Sequence, residues 1–260
     1  LLSKDIATEF AGRGDEIHMY PLSFAEFMSV YNGDKYTGLS EYMLYGGIPL
    51  VVLRDGAGDK ATALQNLFNE IYIRDITKRN RIKNIGELED LLNILSSAIG
   101  SLTNPEALRY DIKGKAYIGT PKKYYFSDLG LCNARINFRQ FEQTHSMENV
   151  IYNELRMRGY SVDVGVVPIA EKDLEGKVNR RQLEVDFVCN LGSARYYIQS
   201  AYSLPDEAKR MQEIRPFRKI DDSFKKLVIT KDIVQPYYDE YGILTINIYD
   251  FLLNPECLQG

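Results

Sequence analysis

From residue 146 onward the chain alternates two hydrophobic periods in a fixed order, and that order constrains the fold more than any single motif. SMENVIYNELRMRGY places Val150, Ile151 and Leu155 on one helical stripe, with Gly159 near its end. SVDVGVVPI, QLEVDFVCNL and ARYYIQSAYSL read as three consecutive strands, the first two joined by the charged loop AEKDLEGKVNRR. DEAKRMQEIRPFRKI then reads as a helix interrupted at Pro216, KKLVITKD as a strand, and GILTINIYDFLL as a strand running into a last helix. Short links between the three strands and a crossover helix before the fourth describe a mixed α/β sheet.

The preceding part reads differently. GDEIHMY predicts a short strand over 16–20, stopped by Pro21, and Ser23 with Glu26 forms a capping-box pattern for a helix from Phe24. Gly46-Gly47 followed by Pro49 marks a sharp turn between helices. ATALQNLFNEIYIRDITKRN and ELEDLLNILSSAIGSL carry further helical stripes. RYDIKGKAYIG and KKYYFSDLG, separated by Gly-Thr-Pro, read as a hairpin. A helix before a hairpin suggests a winged helix-turn-helix, but only Thr103-Asn104-Pro105-Glu106 stands where a recognition helix would be.

At 260 residues, 45% apolar and 26% charged, the chain has the composition of a folded protein long enough for more than one domain. No apolar run reaches the roughly 18 residues of a spanning helix, and the first residues lack the order of a secretory signal, which predicts a cytoplasmic protein with no membrane partner. The opening on Leu1, without an initiator Met, suggests a cut inside a longer protein. Three widely spaced cysteines argue against a disulfide framework or zinc ribbon, and Cys189 reads as a buried thiol. His18 and His145 lack a partner at ligand spacing, and no intact ATP-binding loop motif is present. A net charge of -4 excludes an all-round basic coat, yet bases cluster in RDITKRNRIK and in RYDIKGKAYIGTPKK, where Lys113, Lys115, Lys122 and Lys123 are candidate phosphate contacts. Solvated basic faces are the plainer reading of the same clusters.

The strand order around Asp186 resembles that of the PD-(D/E)xK nuclease core. Its chemistry needs a second-strand acid and a third-strand carboxylate to hold Mg²⁺, and a lysine to stabilise developing charge. Here Asp186 is the second-strand acid, Glu154 the helical candidate and Gln199 the third-strand residue. Glu184 shares a strand face with Asp186 at i, i+2. Gln199 offers only a neutral oxygen and Ala201 stands at the lysine position, leaving Lys209, Arg210 or Arg215 to reach back from the next helix. Two readings are open: a degenerate metal site, or an ordinary strand-end acid with Gln199 bonded within the sheet.

GRGDEIHMYPLSFAEF, EYMLYGGIP, RYDIKGKAYIGTPKKYYFSDLGL, ENVIYNELRMRGY and LEVDFVCN with YYIQSAYSL resemble consecutive blocks of the prokaryotic AAA-type ATPases that end in a domain of unknown function with a restriction-endonuclease-like fold. The resemblance implies a C-terminal remainder: residues 1–30 closing the P-loop ATPase core, 31–85 a helical lid, 86–130 a truncated winged-helix-like segment, and 131–260 a nuclease-like αβββαβ domain. It implies ATP and Mg²⁺ in the parent protein, with no cofactor inside this chain beyond an Mg²⁺ at the nuclease-like site, and homo-oligomers formed through the ATPase core. Arg13 matches the family's Gly-Arg before the last core strand, the place of an arginine finger; a helix-end arginine on a carbonyl or a surface acid is the alternative. Gln-x-Ala in place of Glu-x-Lys is the family's own habit, so the resemblance implies a fold that binds nucleic acid or a protein without cutting. An active nuclease with a displaced lysine, and a pure protein-interaction module, are the alternatives.

Overall fold

The computed structural model describes residues 18–101, 122–139, 142–172 and 178–258. Within them a mixed six-stranded sheet is flanked by helices on both faces, so the chain is mixed α/β as the hydrophobic order predicts.

The N-terminal helices are α1 (Phe24–Val30), α2 (Lys35–Tyr45), α3 (Pro49–Val52) and α4 (Ala57–Asn66). The capping box at α1 is present, with the Ser23 amide donating to Glu26 Oε2 at 2.8 Å and the Glu26 amide to Ser23 Oγ at 3.2 Å. Residues 18–20 of the expected strand carry no strand. The helix expected over 61–80 is divided, because a π-helical turn at Leu67–Ile73 separates α4 from α5 (Arg74–Asn80). It is followed by α6 (Ile85–Ser97). In the second half of the expected hairpin, residues 123–126 form no ladder, and the first half, 109–119, lies outside the described residues.

α7 (Leu129–Arg135) locks onto the end of α2. The Asp128 carboxylate caps α7 through the Leu131 amide at 3.0 Å and also accepts from the Gly47 amide at 2.8 Å. Asn133 Nδ2 reaches the Met43 and Leu44 carbonyls at 3.0 and 2.9 Å, supplying donors to carbonyls that a helix end leaves unpaired. The turn needs Gly46, whose φ of 75° is left-handed, and a Cβ on Gly130 would stand 2.1 Å from the Tyr45 carbonyl oxygen. YGGIP and SDLGL are therefore two halves of one joint.

The sheet follows α8 (Gln143–Met157) and contains β1 (Ser161–Lys172), β2 (Val178–Leu191), β3 (Ala194–Ala201), β4 (Lys225–Thr230), β5 (Tyr237–Tyr238) and β6 (Leu244–Asn247), in the order β1-β2-β3-β4-β6-β5. The first three are antiparallel neighbours, β3, β4 and β6 run parallel, and β5 is a short antiparallel edge. α9 (Glu207–Glu213) makes the crossover from β3 to β4 and stops before Pro216, and α10 (Ile248–Leu253) follows β6.

One buried cluster joins Phe24, Leu39 and Met43 to Ile151 and Leu155 of α8, Phe187 and Ile198 of the sheet, and Phe251 of α10. Packing therefore does not divide at the boundaries expected at residues 31 and 131. A second cluster, with Val185, Tyr197, Ala201, Ile214 and Phe217, fills the opposite face of the sheet. Cys189 is fully buried and free, as its strand setting predicts.

Candidate functional site

Asp186 sits where the sheet forks. The β2–β3 ladder runs only from Leu191↔Ala194 to Phe187↔Ile198. On the other side Asp163 faces Val188 and Gly165 faces Val185, so Asp186 and Phe187 together oppose Val164 in a β-bulge. A bulge re-aims a side chain, and the close packing it causes leaves no room at Gly165, where a Cβ would stand 2.8 Å from Val188 Cγ2. Past the fork, side chains replace the ladder. The Ser200 amide donates to Asp186 Oδ2 at 2.9 Å and the Asp186 amide to Gln199 Oε1 at 3.4 Å.

Strand alternation then separates the triplet. Tyr196 and Ile198 belong to the cluster under α8, whereas Tyr197 and Ala201 belong to the opposite one, so Ser200 faces α8 while Gln199 and Ala201 face away. The part of Gln-Ser-Ala that touches the acid's carboxylate is the Ser200 backbone.

On the α8 side Lys123 gathers the acids. Its Nζ lies 2.7 Å from Glu148 Oε1 and 3.1 Å from Asp186 Oδ1, and also contacts Glu184. The lysine side chain is only 5% exposed. Tyr125 donates its hydroxyl to Glu148 Oε1 at 2.5 Å, and His145 Nδ1 stands 3.8 Å from Glu148 Oε2. The segment carrying Lys123 and Tyr125 is clamped to α8: Asn149, fully buried, accepts from the Phe126 amide at 2.8 Å and donates to its carbonyl at 2.9 Å. Asn153, one turn on, donates to the same carbonyl at 2.9 Å, and the Tyr125 and Tyr152 rings stack with centroids 4.2 Å apart. A cavity of about 330 Å³ opens beside the cluster, lined by Lys123, Tyr125, Tyr152, Val164, Asp186 and Phe187 among others.

The charges are unequally shared. Burial first, and then the neighbouring charge of Glu148, push the Asp186 carboxyl up to about 7 against the pull of Lys123 and the Ser200 amide. Burial also opposes ionisation of Glu148, but His145, Lys123 and Tyr125 outweigh it and hold its carboxyl below the usual range. Burial works against the Lys123 charge too, yet Asp186 and Glu148 raise its pKa above that of an ordinary lysine. Glu148 and Asp186 thus titrate as a coupled pair around the Lys123 ammonium, with burial and the neighbouring glutamate favouring the proton on Asp186.

The expected site residues are thus only partly brought together. Asp186 and Glu184 meet, but the helical acid beside them is Glu148 and not Glu154, which pairs with Arg158 at 2.7 Å. Six residues separate these glutamates, about 240° around a helix. Lys209 pairs with Glu213, and Arg210 with Glu207 and Asp239, so neither reaches back to Asp186. His145, expected to lack an acid partner, has Glu148 one turn on. Lys123, read as a phosphate contact, is instead buried among carboxylates. Lys122 lines the cavity, whereas Arg13, Lys113 and Lys115 lie outside the described residues.

The donors do not fit an Mg²⁺ as they stand. The point between the carboxylates is taken by an ammonium, Gln199 faces away, and among the described residues no group of three His, Cys, Asp or Glu is placed to hold a metal ion. Among the described residues no helix is long and apolar enough to cross a membrane.

The chain is 32% identical to an uncharacterized protein of Haemophilus influenzae, over 97% of this chain and 68% of that protein. It belongs to that protein's family. An uncharacterized protein of Methanocaldococcus jannaschii is 27% identical over 96% of this chain and 63% of its own length. The Haemophilus match extends over 294 residues, more than the 260 here, so that relative carries segments this chain lacks. The model of a domain of unknown function (DUF8612) matches residues 36–119, which contain α2 to α6 but none of Lys123, Glu148 and Asp186. No solved structure matches the chain.

Proposed function

We propose that this chain is the lid and C-terminal portion of an AAA-type ATPase, ending in a restriction-endonuclease-like domain that binds nucleic acid without cutting it. The order α8-β1-β2-β3-α9-β4 and an acid at the fork of β2 and β3 support the nuclease-like part of the reading. The sequence blocks from residue 12 to residue 204 support the ATPase part, and with it ATP, Mg²⁺ and a homo-oligomer in the parent protein. That parentage predicts a G-x-x-x-x-G-K-[ST] motif upstream of Leu1, and an unrelated domain there would overturn it.

One observation carries the non-cutting reading: Gln199, whose side-chain oxygen accepts from the Asp186 amide, and Ala201 lie on the sheet face away from the Asp186 carboxylate and Glu148, so the third strand gives the site neither a carboxylate nor a lysine. A nuclease of this kind draws the metal's second anion and the group that offsets charge on the phosphate from that pair. Support for nucleic-acid binding comes from the β1–β2 ribbon, which continues past the end of β3 and exposes Arg180 and Arg181.

The test is incubation with single- and double-stranded DNA and RNA in Mg²⁺ or Mn²⁺, with Asp186→Ala in parallel. The expected result is binding that weakens with salt and no cleavage by either protein. The contact of Lys123 with Asp186 favours a second reading, a nuclease whose lysine comes from upstream. Metal-dependent cleavage lost in Asp186→Ala would establish that reading and overturn the first.

A further inference from the structure

The cluster holds more acid than a structural ion pair needs. Glu148, Glu184 and Asp186 come from a helix and two positions of one strand, and all three meet a single ammonium with side-chain exposures of 7, 28 and 10%. An ammonium has three donors, and here each finds a carboxylate. The N···O separations of 2.7 and 3.1 Å to Glu148 and Asp186 exceed the roughly 2.0–2.6 Å bonds of Mg²⁺ or Ca²⁺, so these two contacts suit an ammonium as they stand, while Glu184 sits closer. The lysine is also delivered to this point, since Asn149 and Asn153 clamp the backbone of its segment and Tyr125 stacks on Tyr152.

We propose that Lys123 is the built-in cation of this site. Its ammonium takes the place a divalent metal would occupy among Glu148, Glu184 and Asp186, and those carboxylates gain affinity for a divalent cation only when the lysine charge is removed. The comparison with a metal-dependent nuclease rests on the reading above, but the ion cluster does not. Loss of the ammonium leaves three partly buried carboxylates whose repulsion a divalent ion relieves. Glu148 must close in by about half an ångström and Asp186 by nearly one to bind it, which suits Mn²⁺ better than the rigid shell of Mg²⁺.

The test uses the full chain and Lys123→Met, which keeps the stem length and removes the charge. Mn²⁺ binding is read by electron paramagnetic resonance, and melting temperature is read with and without Mn²⁺. The expected result is Mn²⁺ affinity in Lys123→Met about tenfold or more above wild type, a melting temperature that Mn²⁺ raises only in the variant, and loss of both effects in Lys123→Met/Asp186→Asn. Equal Mn²⁺ affinity in wild type and Lys123→Met overturns the proposal. Where Lys123→Met fails to fold, refolding with Mn²⁺ decides: recovery supports the proposal, whereas recovery only in the double variant, with no effect of Mn²⁺, overturns it. Failure of both variants to fold in either condition also overturns it, because the lysine would then be needed for packing and not for charge. Wild type that binds Mn²⁺ without cutting removes this inference and leaves the non-cutting reading standing; wild type that cuts removes both.

Discussion

The Ser200 amide donates to the Asp186 carboxylate at 2.9 Å, where a continuing β2–β3 ladder would have offered it a backbone carbonyl. The acid that marks the site is therefore also a structural part of the sheet. Asp186→Ala removes an acceptor from the buried Ser200 N–H and one of the partners of Lys123, and it should cost about 2–4 kcal/mol in urea denaturation. Asp186→Asn keeps an oxygen for the amide and should cost less than half as much. A loss below about 0.5 kcal/mol for the alanine variant would show that the fork stands without its side chain.

Asn149 supplies the second clamp. Both of its amide atoms bond the Phe126 backbone; Asn149→Ala leaves the part-buried Phe126 N–H unpaired, while Asn153 still donates to the carbonyl, and it should cost about 1–3 kcal/mol. Amide hydrogen exchange at Phe126 should accelerate by more than global destabilisation explains, while exchange at the centre of β4 should follow global stability. Equal acceleration at both places would mean the segment is held by something other than Asn149.

Asp128 should make stability fall as pH rises. Burial pushes its carboxyl up to about 6, against the pull of the Gly47 and Leu131 amides. The folded state thus holds this proton more tightly than the unfolded chain, whose value is about 3.9, so its stabilising contribution is full below that value and is lost as pH climbs through about 6. Unfolding free energies measured across this window should fall more steeply for wild type than for Asp128→Asn. Parallel curves would place the proton on another group.

Gly165→Ala tests the bulge. The new Cβ would lie 2.8 Å from Val188 Cγ2 and 2.9 Å from Val185 Cβ, which forces the strands apart beside Asp186. A destabilisation of about 1–3 kcal/mol is expected, with shifted amide resonances in β2 on both sides of Asp186. A neutral substitution would show that the ribbon can separate there at little cost.

Much of the fold was legible because hydrophobic periodicity reports which residues are buried. Val150, Ile151 and Leu155 marked α8 correctly, and Pro216 marked the end of α9. The site was less legible, because periodicity says nothing about buried polar groups. Glu148 and Asn149 lie in α8 outside the apolar stripe Val150, Ile151 and Leu155, and both are buried through partners on the segment around Tyr125. The nuclease pattern puts its lysine after Asp186 along the strands, whereas the lysine that meets Asp186 here, Lys123, lies 63 residues earlier. The β-bulge had a local cue in Gly165, but only the pairing of Asp163 with Val188 and Gly165 with Val185 reveals it.

The shared burial of Phe24, Leu39 and Met43 with Ile151 and Ile198 bears on how this protein can be shortened for experiments. A fragment beginning at residue 131 would retain all six strands of the described sheet and lose the apolar helices over their α8-side core, exposing side chains worth about 1.5–3 kcal/mol each. It would also lose Lys123, leaving Glu148 and Asp186 facing each other. A soluble fragment for binding or spectroscopy has to start before Phe24, and a sheet expressed alone should aggregate through the face those helices cover.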